Sequence, residues 1–184
     1  MGSTQLTFVE DHTFYHICRY NSLHYEALSL GETVQTSNLF NPMRQSWEIG
    51  RTSISNPRKA AESYWRFTKE QIFEETRISV DPELPSRFQS IWLSDRENLK
   101  YWTDLLLNTT EKDESKKVTS VFKVAVTGKI FAGDAHWIET GNDTLPLKDI
   151  REKAMRYWSG EIFRLGHMEF LLEGKMKVVG EFKF

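Results

Sequence analysis

Three short segments of this chain set aromatic rings beside groups able to donate, accept or transfer a proton: Phe14-Tyr15-His16, Ile91-Trp92-Leu93-Ser94 and His167-Met168-Glu169. Other arrangements offer less. His12 and His16 lie four apart, but in a strand they share a face with no carboxylate to complete a ligand set. The five histidines and single cysteine form neither HExxH nor a Cys/His cluster, so no metal is expected. Cys18 follows His16 by two positions, a separation of roughly 6–7 Å along a strand, which is too long for direct proton transfer. It reads as a small buried hydrophobe. The ten glycines are scattered and build neither GxGxxG nor GxxxxGK[ST], which removes the Rossmann and P-loop readings.

The elements that must position these groups follow from periodicity and turn chemistry. Residues 13–19 are apolar, aromatic and β-branched and read as a strand, with a second extended piece at 32–36 after Gly31. Residues 38–56 carry Pro42, Trp47 and Gly50 without a clean period, as expected of a long ordered loop or lid. From Pro57 the residues Ala61, Tyr64, Trp65, Thr68, Ile72 and Phe73 recur three and four apart, the mark of a helix face. Pro82 and Pro85 must end that helix.

Residues 87–93 read as a strand that runs directly into a helix, because Ser94 and Glu97 make a capping box ahead of Leu99, Trp102, Leu105 and Leu106. After a charged loop at 111–117, residues 118–131 are the longest strand candidate. A turn at Gly141-Asn142-Asp143 precedes a helix bearing Leu147, Ile150, Ala154, Tyr157 and Trp158 that stops at Gly160. Residues 167–172 and 175–184, split by Glu173-Gly174, read as a hairpin. The fold class this order implies is α+β, with mostly antiparallel pairing and about three helices.

A length of 184 residues suits one domain, 1–184, with residues 1–11 as a flexible N-terminal segment. A formal net charge of -2 offers no excess of cations for a polyanion, so nucleic acid is disfavoured as a partner. No apolar run approaches the roughly 20 residues of a membrane span. One cysteine and an N-terminus without a signal-peptide pattern point to a reducing, cytoplasmic setting. Six Trp, six Tyr and twelve Phe exceed the needs of a plain core and direct attention to rings beside polar groups, namely Tyr15, Trp47, Trp92 and Trp137.

The order of these segments, Tyr15-His16, then Trp92 to Ser94, then a late carboxylate, resembles the ADP-ribosyltransferase superfamily, and within it the compact bacterial branch of the rifampin ADP-ribosyltransferases. It is also similar to a related bacterial domain family of undefined function. The resemblance implies an ADP-ribosyltransferase-like fold and NAD as substrate, without a metal. It implies that His16 holds a ribose of NAD, that Trp92 and Tyr15 border the nicotinamide, and that Ser94 hydrogen-bonds nearby. Toxin members carry tyrosine where Trp92 stands, so ring stacking is retained and a phenolic hydrogen bond is not.

Two residues compete for the carboxylate. Glu169 matches the glutamate opening a late strand in toxin-like members, and Asp134 the aspartate after a long strand in the rifampin branch. Cleaving the nicotinamide–ribose bond builds positive charge on the sugar, which a placed carboxylate stabilises, while aromatic faces hold the departing ring. Arg19 or Arg87 would pair with the pyrophosphate. The acceptor stays open. The alternative expectation is a non-catalytic module on the same fold that recognises a protein or nucleotide ligand.

Overall fold

A computed structural model of the chain describes residues 6–19, 28–36, 42–48, 57–108, 118–139 and 145–182. Strand β1 (Leu6–Arg19) pairs antiparallel with β4 (Val118–Asp134), and β4 with β5 (Met168–Phe182). The short strands β2 (Thr33–Gln35) and β3 (Ile91–Leu93) both add to the other edge of β5, β3 along 170–172 near its start and β2 along 175–177 in its middle. Ser94, the residue after β3, exchanges two backbone hydrogen bonds with Tyr15 of β1, at 2.8 and 2.9 Å. The sheet thereby closes into a ring β1-β4-β5-β3.

Alternation sorts the side chains. Phe14, Leu93, Val124, Val126, Ile130, Leu172, Met176 and Val178 fill the inside of the ring. On the outer face, Phe131 and Leu171 are covered by α2 (Pro57–Val80) and α4 (Leu147–Trp158), which bring Ile72, Phe73, Ile150, Ala154, Tyr157 and Trp158. Helix α3 (Leu99–Asn108) seals another part of that face, with Leu99 against Tyr15 and Val121. The architecture is the expected α+β with mostly antiparallel pairing, and among the described residues it carries three longer helices and the short α1 (Pro42–Glu48). Among the described residues no helix is long and apolar enough to cross a membrane.

Both ends of α2 fall where proline chemistry placed them. Arg77 fastens the exit, donating from one terminal nitrogen to the carbonyls of Pro82 and Leu84, each at 2.7 Å. Helix α4 stops before Gly160, whose φ of 74° suits glycine.

Five expectations are corrected. Strand β1 begins at Leu6, inside the stretch expected to be a flexible tail: Leu6 to Val9 pair with Phe131 to Gly128, and the polar Glu10-Asp11 interruption is a bulge. Asp11 adopts φ 47° there, and its amide donates to the Thr127 hydroxyl at 3.1 Å. The expected hairpin around Gly174 is one continuous strand. Gly174 sits opposite Gly128, and a Cβ on it would lie 2.2 Å from the Thr127 carbonyl oxygen, so this glycine permits close backbone approach and not a turn.

Residues 87–90 are turn, with Ser86 accepting from the Phe88 and Ser90 amides, so β3 starts only at Ile91. The helix expected from Ser94 starts at Leu99, because the Ser94 backbone is taken by Tyr15 while the Asp95 carboxylate accepts the Asn98 amide at 2.8 Å. Within the expected lid, Pro42–Glu48 is helical, and the Trp47 indole donates to Ser63 at 3.2 Å. The rest of that segment, the 111–117 loop and the Gly141-Asn142-Asp143 turn lie outside the described residues.

Candidate functional site

Glu169 projects from the outer face of β5 into a buried polar network. Its partner across the ladder is Gly133, and the absence of a side chain there seats the ring of Tyr157 from α4. The Tyr157 hydroxyl donates to Glu169 at 2.5 Å. Arg87, delivered by the turn before β3, donates to the same Glu169 oxygen, to the Tyr157 hydroxyl at 3.2 Å and, from Nε, to Glu70 of α2 at 2.7 Å. Its guanidinium also lies over the Trp92 ring, 5.2 Å from the centroid. One buried cation is thus held between two buried carboxylates, a buried phenol and the face of a half-buried indole.

The electrostatics follow from that crowding. Burial alone would raise the Glu70 carboxyl, but the charge and hydrogen bond of Arg87, with Lys69, hold it below the usual carboxylate value. Burial would lower Arg87, yet Glu169 and Glu70 together keep it charged far above neutrality. Tyr157 is held protonated, first by burial and then by the negative charge of Glu169. Lys69, beside Glu70, has its ammonium lowered by burial and donates to the Ile138 carbonyl at 3.0 Å.

His16 meets this arrangement through the backbone of β3. After the Tyr15–Ser94 pair, a continuing antiparallel ladder would give the Trp92 carbonyl to the Ile17 amide. The imidazole Nδ1 of His16 takes that carbonyl instead, at 2.9 Å. A carbonyl only accepts, so Nδ1 carries the proton and Nε2 remains an acceptor. Burial lowers the His16 pKa, with the bond to Trp92 opposing it.

A histidine whose folded pKa is lowered binds fewer protons than in the unfolded chain, so its contribution is present at neutral pH and declines as pH falls below about 6.5. Denaturation midpoints measured between pH 7.5 and 5.5 are expected to fall for the wild type. They should fall less for His16→Gln; equal slopes would contradict the buried neutral imidazole.

The expected site residues are therefore joined unevenly. Trp92 and Glu169 share the outer face through Arg87, and Ser94, two residues beyond Trp92, is buried with its hydroxyl donating to the Asp95 carbonyl at 3.0 Å. His16 bonds Trp92 from the inner face, to which alternation along β1 assigns it together with Phe14. Tyr15 does not border the same space. Its ring packs against Phe182 at 5.1 Å and under α3. The side chain of Arg19 lies outside the described residues.

Asp134 points away from the Glu169 face, as the residue next to Gly133 must. Its two oxygens accept the amides of His136 at 2.9 Å and of Phe163 and Arg164 at 2.7 Å each, fastening the 160–166 loop to the end of β4. The Cys18 thiol is pushed up to about 11, chiefly by burial, consistent with packing and not with a nucleophile.

One polar atom near Arg87 is left unanswered. The Trp92 indole N–H is buried and has no hydrogen-bond acceptor among the described residues, a condition that costs roughly 1–3 kcal/mol unless something satisfies it. Sequence reasoning missed Glu70, Tyr157 and Gly133 as members of this site. Glu70 alone left a trace, being a carboxylate three and seven residues before Phe73 and Arg77 on the buried stripe of α2.

Fold and site together define a single α+β unit whose ring-shaped sheet carries a buried Glu-Arg-Glu-Tyr network beside a tryptophan. The chain belongs to the family described as "Protein of unknown function (DUF2441)", whose model matches residues 29–184. That description assigns no activity and makes no link to ADP-ribosyltransferases. No curated protein matches the chain.

Proposed function

We propose that this protein is an ADP-ribosyltransferase-like enzyme that takes NAD as substrate and breaks its nicotinamide–ribose bond. The observation that carries this reading is the meeting of three distant segments at β3: His16 bonds the Trp92 carbonyl, Ser94 bonds Tyr15, and Trp92 lies on the guanidinium that holds Glu169. The unpartnered indole N–H adds to it, since the carboxamide oxygen of nicotinamide is the kind of acceptor it lacks. In this reading Trp92 borders the nicotinamide and Glu169, steadied by Tyr157, stabilises the oxocarbenium-like cation, while His16, on the opposite face of the sheet, acts through its bond to the Trp92 carbonyl, which holds β3 in place.

A second reading, a non-catalytic module binding a protein or nucleotide ligand, is favoured by a different observation. Both candidate carboxylates already have protein partners, Glu169 with Arg87 and Tyr157 and Asp134 with three amides. Calorimetric titration with NAD and assay of nicotinamide release separate the two. The wild type is expected to bind and to release nicotinamide, and Glu169→Ala to lose release by roughly 100-fold or more, the scale on which removing a transition-state charge contact acts. Asp134→Ala should keep release per folded molecule. Binding without release would select the second reading, and absence of both would remove the first.

A further inference from the structure

A second polar cluster stands beside the network of Glu169. His167, one residue ahead of β5, is placed by alternation on the face that carries Glu169, and its carbonyl accepts the Ala135 amide at 2.9 Å. Tyr101 of α3 stacks on its imidazole, with centroids 3.8 Å apart and an interplanar angle of 18°. The Tyr101 hydroxyl donates to Oε1 of Glu139, and that same oxygen lies 4.0 Å from His167 Nδ1. Nδ1 is shut off from solvent and has no hydrogen-bond partner among the described residues, while the side chain as a whole is 15% exposed, which leaves Nε2 as the solvent-facing nitrogen.

The turn bearing Glu139 is pinned from two helices: Lys69 of α2 donates to the Ile138 carbonyl and Lys153 of α4 to the Glu139 carbonyl, each at 3.0 Å. A carboxylate behind Nδ1, an open Nε2 and a ring clamp are the parts of an oriented proton acceptor.

We propose that His167 accepts the proton of the incoming nucleophile, with Glu139 as its positioning residue, and that the nucleophile is a neutral hydroxyl. This rests on the transferase reading above. As the acceptor oxygen bonds to ribose C1′, its proton passes to His167 Nε2. The bond from C1′ to the nicotinamide nitrogen breaks with its electron pair on that nitrogen, neutral nicotinamide leaves, and the imidazolium later returns its proton to water. Lys69 and Lys153, flanking the cluster, favour a neutral acceptor over an ammonium or guanidinium.

Two measurements decide it. Nitrogen-15 spectra of the full chain should show neutral His167 as the Nδ1–H tautomer, reverting to Nε2–H in Glu139→Ala; an Nε2–H wild type overturns the dyad. With NAD and N-acetylserinamide as the hydroxyl probe, wild-type transfer should rise with pH through the deprotonation of one group. His167→Gln should lose roughly 100-fold, the scale of general-base catalysis, together with that pH dependence. Transfer unchanged in His167→Gln overturns the dyad alone, whereas a wild type that neither binds nor cleaves NAD overturns the transferase reading and this step with it.

Discussion

Arg87→Met is expected to lower the stability of the protein at pH 7 by roughly 3–5 kcal/mol, the cost of removing one partner from a buried ion pair. For a chain of this length that corresponds to a drop of about 6–20 °C in the thermal midpoint. The reason lies in what is left behind. Glu70 and Glu169 are both almost wholly buried, and Arg87 is the guanidinium both of them bond. Methionine fills much of the volume but supplies no charge, so two buried carboxylates lose the guanidinium they share and keep only Tyr157 beside Glu169 and Lys69 beside Glu70.

The sign of the pH dependence provides a sharper test than the midpoint. In the wild type Glu70 has a lowered pKa, so its contribution is present above the unfolded value near 4.5 and is lost as pH falls through the folded value. Between pH 5 and 3 the wild type should therefore weaken. Arg87→Met should weaken less or gain, because protonation relieves its stranded carboxylates. A variant with a wild-type midpoint and a wild-type acid profile would show that the network contributes nothing to folding.

Gly133→Ala is expected to destabilise by about 2–4 kcal/mol, beyond the usual effect of alanine in a strand, because overpacking at a site that cannot yield adds to the loss of a buried hydroxyl contact. A Cβ at position 133 would meet the Tyr157 ring at 2.2 and 2.4 Å and its hydroxyl oxygen at 2.7 Å. Tyr157 is fully buried between Phe73, Phe131 and Trp158, so its ring has no free direction in which to move.

Displacing it also breaks the bond from its hydroxyl to Glu169. Denaturant unfolding of a double-mutant cycle with Tyr157→Leu checks the cause. If the clash is with the ring, Gly133→Ala in the leucine background should cost less than about 1 kcal/mol, a strong non-additivity between neighbours. Additive costs would place the strain elsewhere.

Both results turn on contacts that no local pattern announces. Periodicity located α4 correctly, since Ile150, Ala154, Tyr157 and Trp158 are all buried as the three-and-four spacing requires. On α2 the same reasoning chose a stripe whose C-terminal members Ile72 and Phe73 are buried but whose Tyr64 is 69% exposed, and it left out Glu70, Thr76 and Arg77, which are buried beside them. A charged residue on a buried face looks like solvent-facing polarity until its partners are known, and those partners lie on β5 and in the turn before β3. Glu173-Gly174 likewise satisfied the local chemistry of a turn, yet Gly128 across the ladder makes it a point of close approach inside one long strand.

What the sequence determined by itself was the class and the locally encoded elements: one α+β unit, the proline-bounded α2, the glycine-stopped α4 and the long strand β4. Those follow from interactions between residues a few positions apart, which turn and helix chemistry report directly. Tertiary structure alone decided which carboxylate faces the tryptophan and which fastens a loop. Glu169 and Asp134 stand opposite Gly133 and Met168, neighbours in register, and so point to opposite faces of one ladder. Pairing between strands far apart in the chain sets that register, and no short-range signal encodes it.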